Sequence, residues 1–123
     1  MKLIRATERV SGDSPPPKGR FHGQAAQHTM HETGEQTRGS FVRFEPGAHT
    51  HWHSHSGGQL LHIVEGVARV QAWGDAVQSL EVGDTAVAPP GEKHWHGASA
   101  GGPMTQLALT SGEVTWMEDA AET

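Results

Sequence analysis

The chain has no cysteine, no long apolar run and no cluster of basic residues. Without cysteine it can form neither a disulfide framework nor a thiolate site, so any bound metal needs nitrogen and oxygen ligands. No apolar run approaches the roughly 18 residues that a membrane span requires. The formal net charge is -5, and scattered Lys and Arg offer little to neutralise phosphates. These features argue against nucleic acid and anionic membranes as partners.

The composition predicts a single all-β domain. At 123 residues there is room for one hydrophobic core. Sixteen glycines and seven prolines favour many short strands over helices, and we expect a closed or sandwiched β-barrel. We assign 1–123 to one domain, with an N-terminal arm and first strands over 1–38, the barrel core over 39–116 and a tail over 117–123. The first residues lack a secretory signal core, so we expect a cytoplasmic location.

Alternating and β-branched segments between turn residues predict individual strands. They cover residues 24–30, 40–44, 60–64, 68–73, 77–80, 85–88 and 104–110. Gly66 allows a tight turn, so the segments on either side of it are expected to form a hairpin. Residues 114–121 predict an edge strand or one helical turn, and the tail over 118–123 is expected to be a solvated end. The proline-rich stretch at 14–19 is expected to lie on the surface.

Histidines concentrate in two segments, residues 49–55 and 94–96. Alternate residues of a β-strand point to the same side, so His53 and His55 can converge on one ion. Gln59 follows a glycine bend, and His94 must arrive from elsewhere in the fold. The predicted metal ligands are His53, His55, Gln59 and His94. A polar histidine-rich face without a metal is the alternative.

The remaining histidines divide into neighbours of this site and surface residues. His49 and His51 share the strand face of the ligands, but the run spans roughly 20 Å, too far for one ion. They are expected to support the ligands or line the pocket. His96 lies on the same face as His94 and is expected to make a hydrogen bond nearby. Three histidines have no motif around them and are predicted to lie on the surface: His22, His28 and His31.

Two tryptophans alternate with the histidines and should therefore face away from the ligands. Trp52 lies between His51 and His53, and Trp95 lies between His94 and His96. Such residues pack against another sheet or against a partner subunit. We accordingly expect a homodimer.

The two histidine segments resemble the two motifs of the cupin superfamily. The first motif reads Gly47, five residues, His53-x-His55, three residues, Gln59, six residues, Gly66, and the second reads Gly83, five residues, Pro89-x-Gly91, two residues, His94. The resemblance implies a small antiparallel β-barrel of the double-stranded β-helix or jelly-roll type, with a metal on the four ligands named above. The family usually has Glu in place of Gln59 and often Asn in place of Ala98.

Three shorter runs resemble small bacterial monocupins that include manganese-dependent hydroxynitrile lyases. These runs are residues 44–48, 90–98 and 116–118. Those enzymes also use a glutamine ligand, and they carry a further histidine on a late strand where this chain has Gln106. The resemblance implies manganese and a small-molecule substrate. Iron, nickel and zinc suit the same donors, so the identity of the metal stays open.

The neutral ligand set favours one kind of chemistry. Three imidazoles and an amide cancel none of the charge of a divalent ion, which remains a strong Lewis acid. We therefore expect a metal-dependent lyase, with His96 as the base and Gln106 as a second candidate catalytic residue. Val42 and His51 are expected to shape the pocket. The alternatives are an iron-dependent dioxygenase of small molecules and a barrel that binds a small ligand or metal without catalysis.

Overall fold

Short strands make up most of the structure, a computed structural model that describes residues 1, 3, 5, 19–32 and 37–120. The described residues contain twelve strands: β1 (Phe21–His22), β2 (Ala25–Glu32), β3 (Thr37–Phe44), β4 (His49–Thr50), β5 (His53–His55), β6 (Gln59–Glu65), β7 (Ala68–Ala72), β8 (Gln78–Leu80), β9 (Thr85–Ala88), β10 (His94–Ala98), β11 (Met104–Ser111) and β12 (Val114–Trp116). Most predicted strand segments coincide with these elements to within two residues. Among the described residues, no helix has the length and apolar character needed to cross a membrane.

The strands form two antiparallel sheets. The five-stranded sheet has the order β2-β3-β11-β6-β9. In the seven-stranded sheet, β10 pairs with β7 along one edge and with both β4 and β5 along the other. β1 extends the sheet beyond β4, β12 extends it beyond β5, and β8 pairs with β7. This arrangement confirms the predicted all-β antiparallel fold.

The interior changes from apolar to polar along the strands. On β11 every second residue is buried, from Met104 through Gln106 to Thr110. Met104 packs with Phe44 and Ile63 in an apolar core that draws on both sheets. Burial of each such large side chain stabilises the fold by about 1.5–3 kcal/mol. Because the core occupies one end of the interior, the polar residues of the same strands meet at the other end.

The hairpin predicted around Gly66 is wrong. β6 pairs with β9 and β11 in the five-stranded sheet, whereas β7 pairs with β8 and β10 in the other sheet. Gly66 has a φ of 77°, and a Cβ at this position would collide with the carbonyl oxygen of Pro103. The chain therefore crosses from one sheet to the other at a corner that only glycine fits. A glycine turn between two strands does not by itself pair them.

The two tryptophans pack against this chain's own C-terminal segment. Trp52 and Trp95 are 1% and 5% exposed and form a cluster with Ala120 and Met117. The amide of Met117 donates to the carbonyl oxygen of Trp52 at 2.8 Å. Residues 117–120 are thus docked on the sheet, which corrects the expectation of a solvated end. The homodimer stays a prediction, but covered tryptophans no longer give a reason for it.

Some predictions concern parts of the chain that the structure does not describe. Residues 14–18 of the proline-rich stretch and residues 121–123 of the tail lie outside the described residues. The side chains of His28 and His31 also lie outside the described part of the structure. Their predicted surface positions stay predictions.

Candidate metal centre

Four histidines from two neighbouring strands meet between the sheets. His53 and His55 lie on β5, His94 and His96 lie on β10, and His53 stands opposite His94 in the antiparallel register. The ring centroid of His53 is 4.5 Å from that of His94 and 5.2 Å from that of His96. Ligand nitrogens of these three rings all lie within 4.8 Å of one another. His55 adjoins them, with its centroid 5.0 Å from that of His53.

Gln59 lies beside His94, and neither of the two atoms in contact carries a hydrogen to donate. Its Nε2 donates to Thr110 Oγ1 at 3.0 Å, and its Oε1 lies 3.0 Å from His94 Nε2. When His94 Nδ1–H donates to the carbonyl oxygen of Glu92, at 3.0 Å, Nε2 of the neutral ring keeps only a lone pair. Two acceptors then face each other. A cation between them would remove the repulsion, so the donors fit a metal ion.

The other rings also present bare nitrogens. His53 Nδ1–H donates to the carbonyl oxygen of His51 at 2.8 Å, which leaves the lone pair of the neutral ring on Nε2. Both nitrogens of His55 and Nε2 of His96 are buried without a hydrogen-bond partner among the described residues. Buried polar atoms are normally paired, and each unpaired one is costly. A metal ion would take one nitrogen of His55 together with Nε2 of His53.

Burial keeps this cluster neutral. Loss of solvent, together with repulsion from His94, lowers the pKa of His53 to about 3 and that of His55 to about 4. Burial also lowers the pKa of His94, and it lowers the pKa of His96 well below 6.5. Neutral imidazole is the form that binds metal, so the rings are ready at pH 7. Among the described residues no carboxylate belongs to this cluster.

Gln106 reaches His96 from the opposite sheet. Its Nε2 lies 3.0 Å from His96 Nδ1, while its Oε1 is buried without a partner among the described residues. A 180° rotation of the amide would let Oε1 accept the Nδ1 proton and would leave the lone pair of the ring on Nε2. Phe44 packs edge-on against the same imidazole, with centroids 5.9 Å apart. The two candidate catalytic residues are therefore in direct contact.

A cavity of about 160 Å³ opens beside the cluster. The predicted residues Val42, His96 and Gln106 line it, and Arg20 and Arg38 add positive charge to its wall. The volume suits a small organic molecule. Such a molecule would lie against the imidazole of His96.

The structure places His51 elsewhere, because the histidine strand is interrupted. The amide of His51 donates to the carbonyl oxygen of Arg20, and that of Trp52 donates to Glu118, so neither joins the ladder of the sheet. Alternation holds only within a continuous strand. Among the described residues that line the cavity, Thr50 is present and His51 is not.

Two threonines of the site were missed by the sequence analysis. Thr110 accepts a hydrogen bond from the amide Nε2 of Gln59. This bond orients the amide so that Oε1 of Gln59 points at His94. Thr50 Oγ1 accepts the backbone amide of His96 at 3.2 Å. Thr110 was detectable, because it lies on the same inward face of β11 as Gln106. Thr50 was not, since the unbroken alternation placed it outward.

Comparison with known proteins identifies the family. Residues 40–110, which include the predicted ligands, match the model of the cupin domain family. The chain belongs to this family, as its two motifs predicted. It is homologous to (R)-mandelonitrile lyase from Granulicella tundricola, with 44% identity over 88 residues that cover 68% of this chain and 67% of that protein.

Solved structures agree with this fold. A cupin-like protein from Thermotoga maritima superposes with a TM-score of 0.83 and 31% identity, covering 94% of this chain and 90% of that one. The DMSP lyase DddQ from Ruegeria pomeroyi superposes with a TM-score of 0.66 and 20% identity, covering 80% of this chain and 52% of that one. At the latter identity the likeness shows the fold alone.

Proposed function

We propose that this protein is a metal-dependent cupin lyase that cleaves a small cyanohydrin into a carbonyl compound and hydrogen cyanide. The supporting observation is a buried, uncharged set of imidazole and amide donors that opens onto a small cavity. The homology to (R)-mandelonitrile lyase points to the reaction. The neutral donors leave the charge of an ion available to a substrate, which favours Lewis-acid chemistry.

The ligands we propose are those of the two motifs: His53, His55, Gln59 and His94. His53, His55 and Gln59 also line the cavity, and His96 is assigned to the substrate side because its Nδ1 is engaged by Gln106 of the cavity wall. A divalent ion in this position supplies Lewis acidity that polarises an oxygen of the substrate. We propose manganese, with iron, nickel or zinc as alternatives that the same donors accept.

His96 acts as the base in this proposal. Burial lowers the pKa of His96 and keeps its ring neutral. When the amide of Gln106 is turned so that Oε1 accepts the Nδ1 proton, the lone pair of the ring is on Nε2, which can take the hydroxyl proton of the cyanohydrin. The oxygen then forms the carbonyl as the carbon–carbon bond to the nitrile breaks and cyanide leaves with the bonding pair. Cyanide takes the proton back from His96. The sum is one carbonyl compound and one hydrogen cyanide, with no change in oxidation state.

The cavity wall supports the release of an anion. Arg20 and Arg38 line it, and the charge of Arg38 helps to lower the pKa of His55, after burial and repulsion from His94. A fixed positive charge near the departing cyanide stabilises it in the transition state. Gln106 acts as a positioning residue, because its amide holds the His96 ring through Nδ1.

Other features of the protein stay proposals based on sequence. A cytoplasmic location and a homodimer are proposed from composition and resemblance. A small molecule is proposed as the partner, without nucleic acid or membrane. Gel filtration with light scattering tests the homodimer.

The test of function begins with elemental analysis of protein purified without an affinity tag. Cleavage of racemic mandelonitrile is then followed by benzaldehyde absorbance and by cyanide release, which should agree one to one. We expect chelated protein to be inactive and the returned metal to restore turnover. Full activity after chelation, or no cleavage with manganese, iron, nickel or zinc, would contradict the proposal. Oxygen uptake with iron restored would indicate a dioxygenase instead.

A control variant tests whether replacing a histidine outside the site also reduces metal content or activity. His62 lies on β6, where its Nδ1 contacts Thr85 Oγ1 at 2.8 Å. It belongs to neither group of clustered ligands among the described residues. His62→Gln should keep both the metal and the activity.

A further inference from the structure

A second histidine cluster involves the edge strand β1 and the docked C-terminal segment. His22 of β1 and His49 of β4 are direct partners in the antiparallel register, and their rings stack with centroids 4.8 Å apart. Asp119 lies against both rings. One ligand atom from each of these three residues lies within 4.8 Å of the other two. The proposed lyase site uses none of them.

His49 presents a buried ring nitrogen suited to bind a cation. When its Nδ1–H donates to the carbonyl oxygen of Gly47, at 3.1 Å, the neutral ring has a lone pair on Nε2. That Nε2 is buried without a hydrogen-bond partner among the described residues, and the side chain is only 9% exposed. The nearest carboxylate oxygen, Asp119 Oδ1, lies 3.7 Å away. A lone pair and an anionic oxygen thus face each other across a gap.

The second oxygen of the same carboxylate faces two more imidazoles. Asp119 Oδ2 lies 3.2 Å from His22 Nδ1 and 3.8 Å from His51 Nε2. In a tetrahedral zinc site with bonds of about 2.0–2.1 Å, ligand atoms are separated by roughly 3.4 Å. The distances from Oδ2 to His22 and from Oδ1 to His49, 3.2 and 3.7 Å, lie on either side of this value and end on the two oxygens of the one carboxylate.

We propose that His22, His49 and Asp119 form a second metal site, which binds a divalent transition ion of the zinc type. Two imidazoles and one carboxylate match the donors that zinc takes in proteins, with a fourth position left for water or for His51. The carbonyl of Gly47 orients His49 in the manner usual for metal-bound histidine. Burial lowers the pKa of His49, which keeps this ring neutral and free to bind at pH 7.

An ion at this site would join segments that are distant in sequence. It would tie the edge strand β1 and residues 117–120 to β4. Phe21, next to His22, and Trp116, three residues before Asp119, both line the cavity of the proposed active site. The outer ion would therefore add stability behind one wall of that cavity without contacting a substrate.

The test counts zinc in the full chain, purified without an affinity tag. Protein is equilibrated with Zn²⁺, passed through gel filtration and measured by elemental analysis. We expect Asp119→Asn and His22→Ala each to hold one zinc equivalent per chain fewer than the unchanged protein. The control Glu118→Gln removes the neighbouring carboxylate, which pairs with Lys93, and should lose none. Crystals with zinc should show an anomalous peak between His22, His49 and Asp119.

The test depends on the difference in zinc content between the unchanged protein and the two variants. Zinc bound at the inner cluster is common to all three proteins and does not affect this difference. Equal zinc content in the unchanged protein and in both variants would overturn the second site. Failure of the lyase proposal would leave the comparison valid, because the readout is stoichiometry rather than turnover. His22 is half exposed, so His22→Ala should fold even if Asp119→Asn does not, and circular dichroism checks both.

Discussion

The inner and outer histidine clusters belong to the same sheet but differ in charge and exposure. The inner cluster, around His53 and His94, is buried and has no carboxylate among the described residues. In the outer cluster the side chains of His22 and Asp119 are 50% and 32% exposed. His49 is four residues from His53, yet its ring belongs to the other cluster. The interruption of the strand at residues 51–52 separates the two environments.

This contrast shows how similar side chains acquire different uses. An ion held by neutral donors in a buried site keeps its full charge for a substrate. An ion beside a carboxylate is partly neutralised, and near solvent its main effect is to hold segments together. We therefore expect loss of the inner ligands to remove chemistry and loss of the outer ones to affect only metal count and stability.

The largest expected effect follows from removing an inner ligand. His53→Ala should abolish metal retention at the inner cluster and reduce cyanohydrin cleavage by more than about 100-fold, since weaker outer-shell changes already cost 10–100-fold. Elemental analysis and benzaldehyde release measure the two effects. His22→Ala, in the outer cluster, should keep the activity. Normal turnover in His53→Ala would contradict the assignment of the chemistry to the inner cluster.

The next effect separates ligand from base within the inner cluster. His96→Ala should retain the metal but lower turnover by about 10²–10⁴-fold, the usual contribution of a general base. Metal content and kcat are measured on the same preparation. Loss of the metal in this variant would make His96 a ligand, as its nitrogen within 4.8 Å of those of His53 and His94 also permits.

Acid should destabilise the metal-free protein through the inner cluster. The folded-state pKa of His53 is about 3 and that of His55 about 4, both below the ordinary 6.5. The unfolded chain therefore binds more protons in between, and stability falls as pH drops from 6.5 towards these values. Each ring contributes about 1.4 kcal/mol per pH unit in its window. Urea unfolding from pH 7 to 5 measures the slope, and a flat profile would contradict it.

A smaller effect is expected at the contact between Gln106 and His96. Gln106→Leu keeps the volume but removes the amide at Nδ1, so the ring loses its fixed orientation. We expect about a tenfold lower kcat, equivalent to about 1.4 kcal/mol, with unchanged metal content. Thr105→Val, one residue earlier and facing outward, is the control. Unchanged kcat in Gln106→Leu would show that the amide has no positioning role.

The smallest effect is expected in the outer cluster without metal. Asp119→Asn in chelated protein should change the unfolding free energy by less than about 1 kcal/mol, because exposed ion pairs contribute little. Denaturant unfolding measures the change. With zinc present the difference between the two proteins should grow, because only the unchanged protein binds the outer ion. If the difference in unfolding free energy between the two proteins is the same with and without zinc, the outer site does not couple metal binding to stability.

The fold was largely predictable from local patterns. Period-two alternation and turn residues indicated the strands of both sheets, including β9 and β11. The partner of each strand was not predictable, as the corner at Gly66 shows. Whether a glycine turn closes a hairpin or crosses between sheets depends on what packs against it, here the carbonyl oxygen of Pro103.

The sequence by itself determined the family, the all-β class and the residues with neutral donors, because motif spacing and composition are properties of the chain. Only the tertiary structure decided which histidine faces which side. The bonds from His51 and Trp52 to distant carbonyls interrupt the strand and reverse its alternation. These bonds join residues far apart in sequence, so no local pattern contains them. The outer cluster arises for the same reason: β1 and the C-terminal segment are distant in sequence and meet at His49 only in the folded sheet.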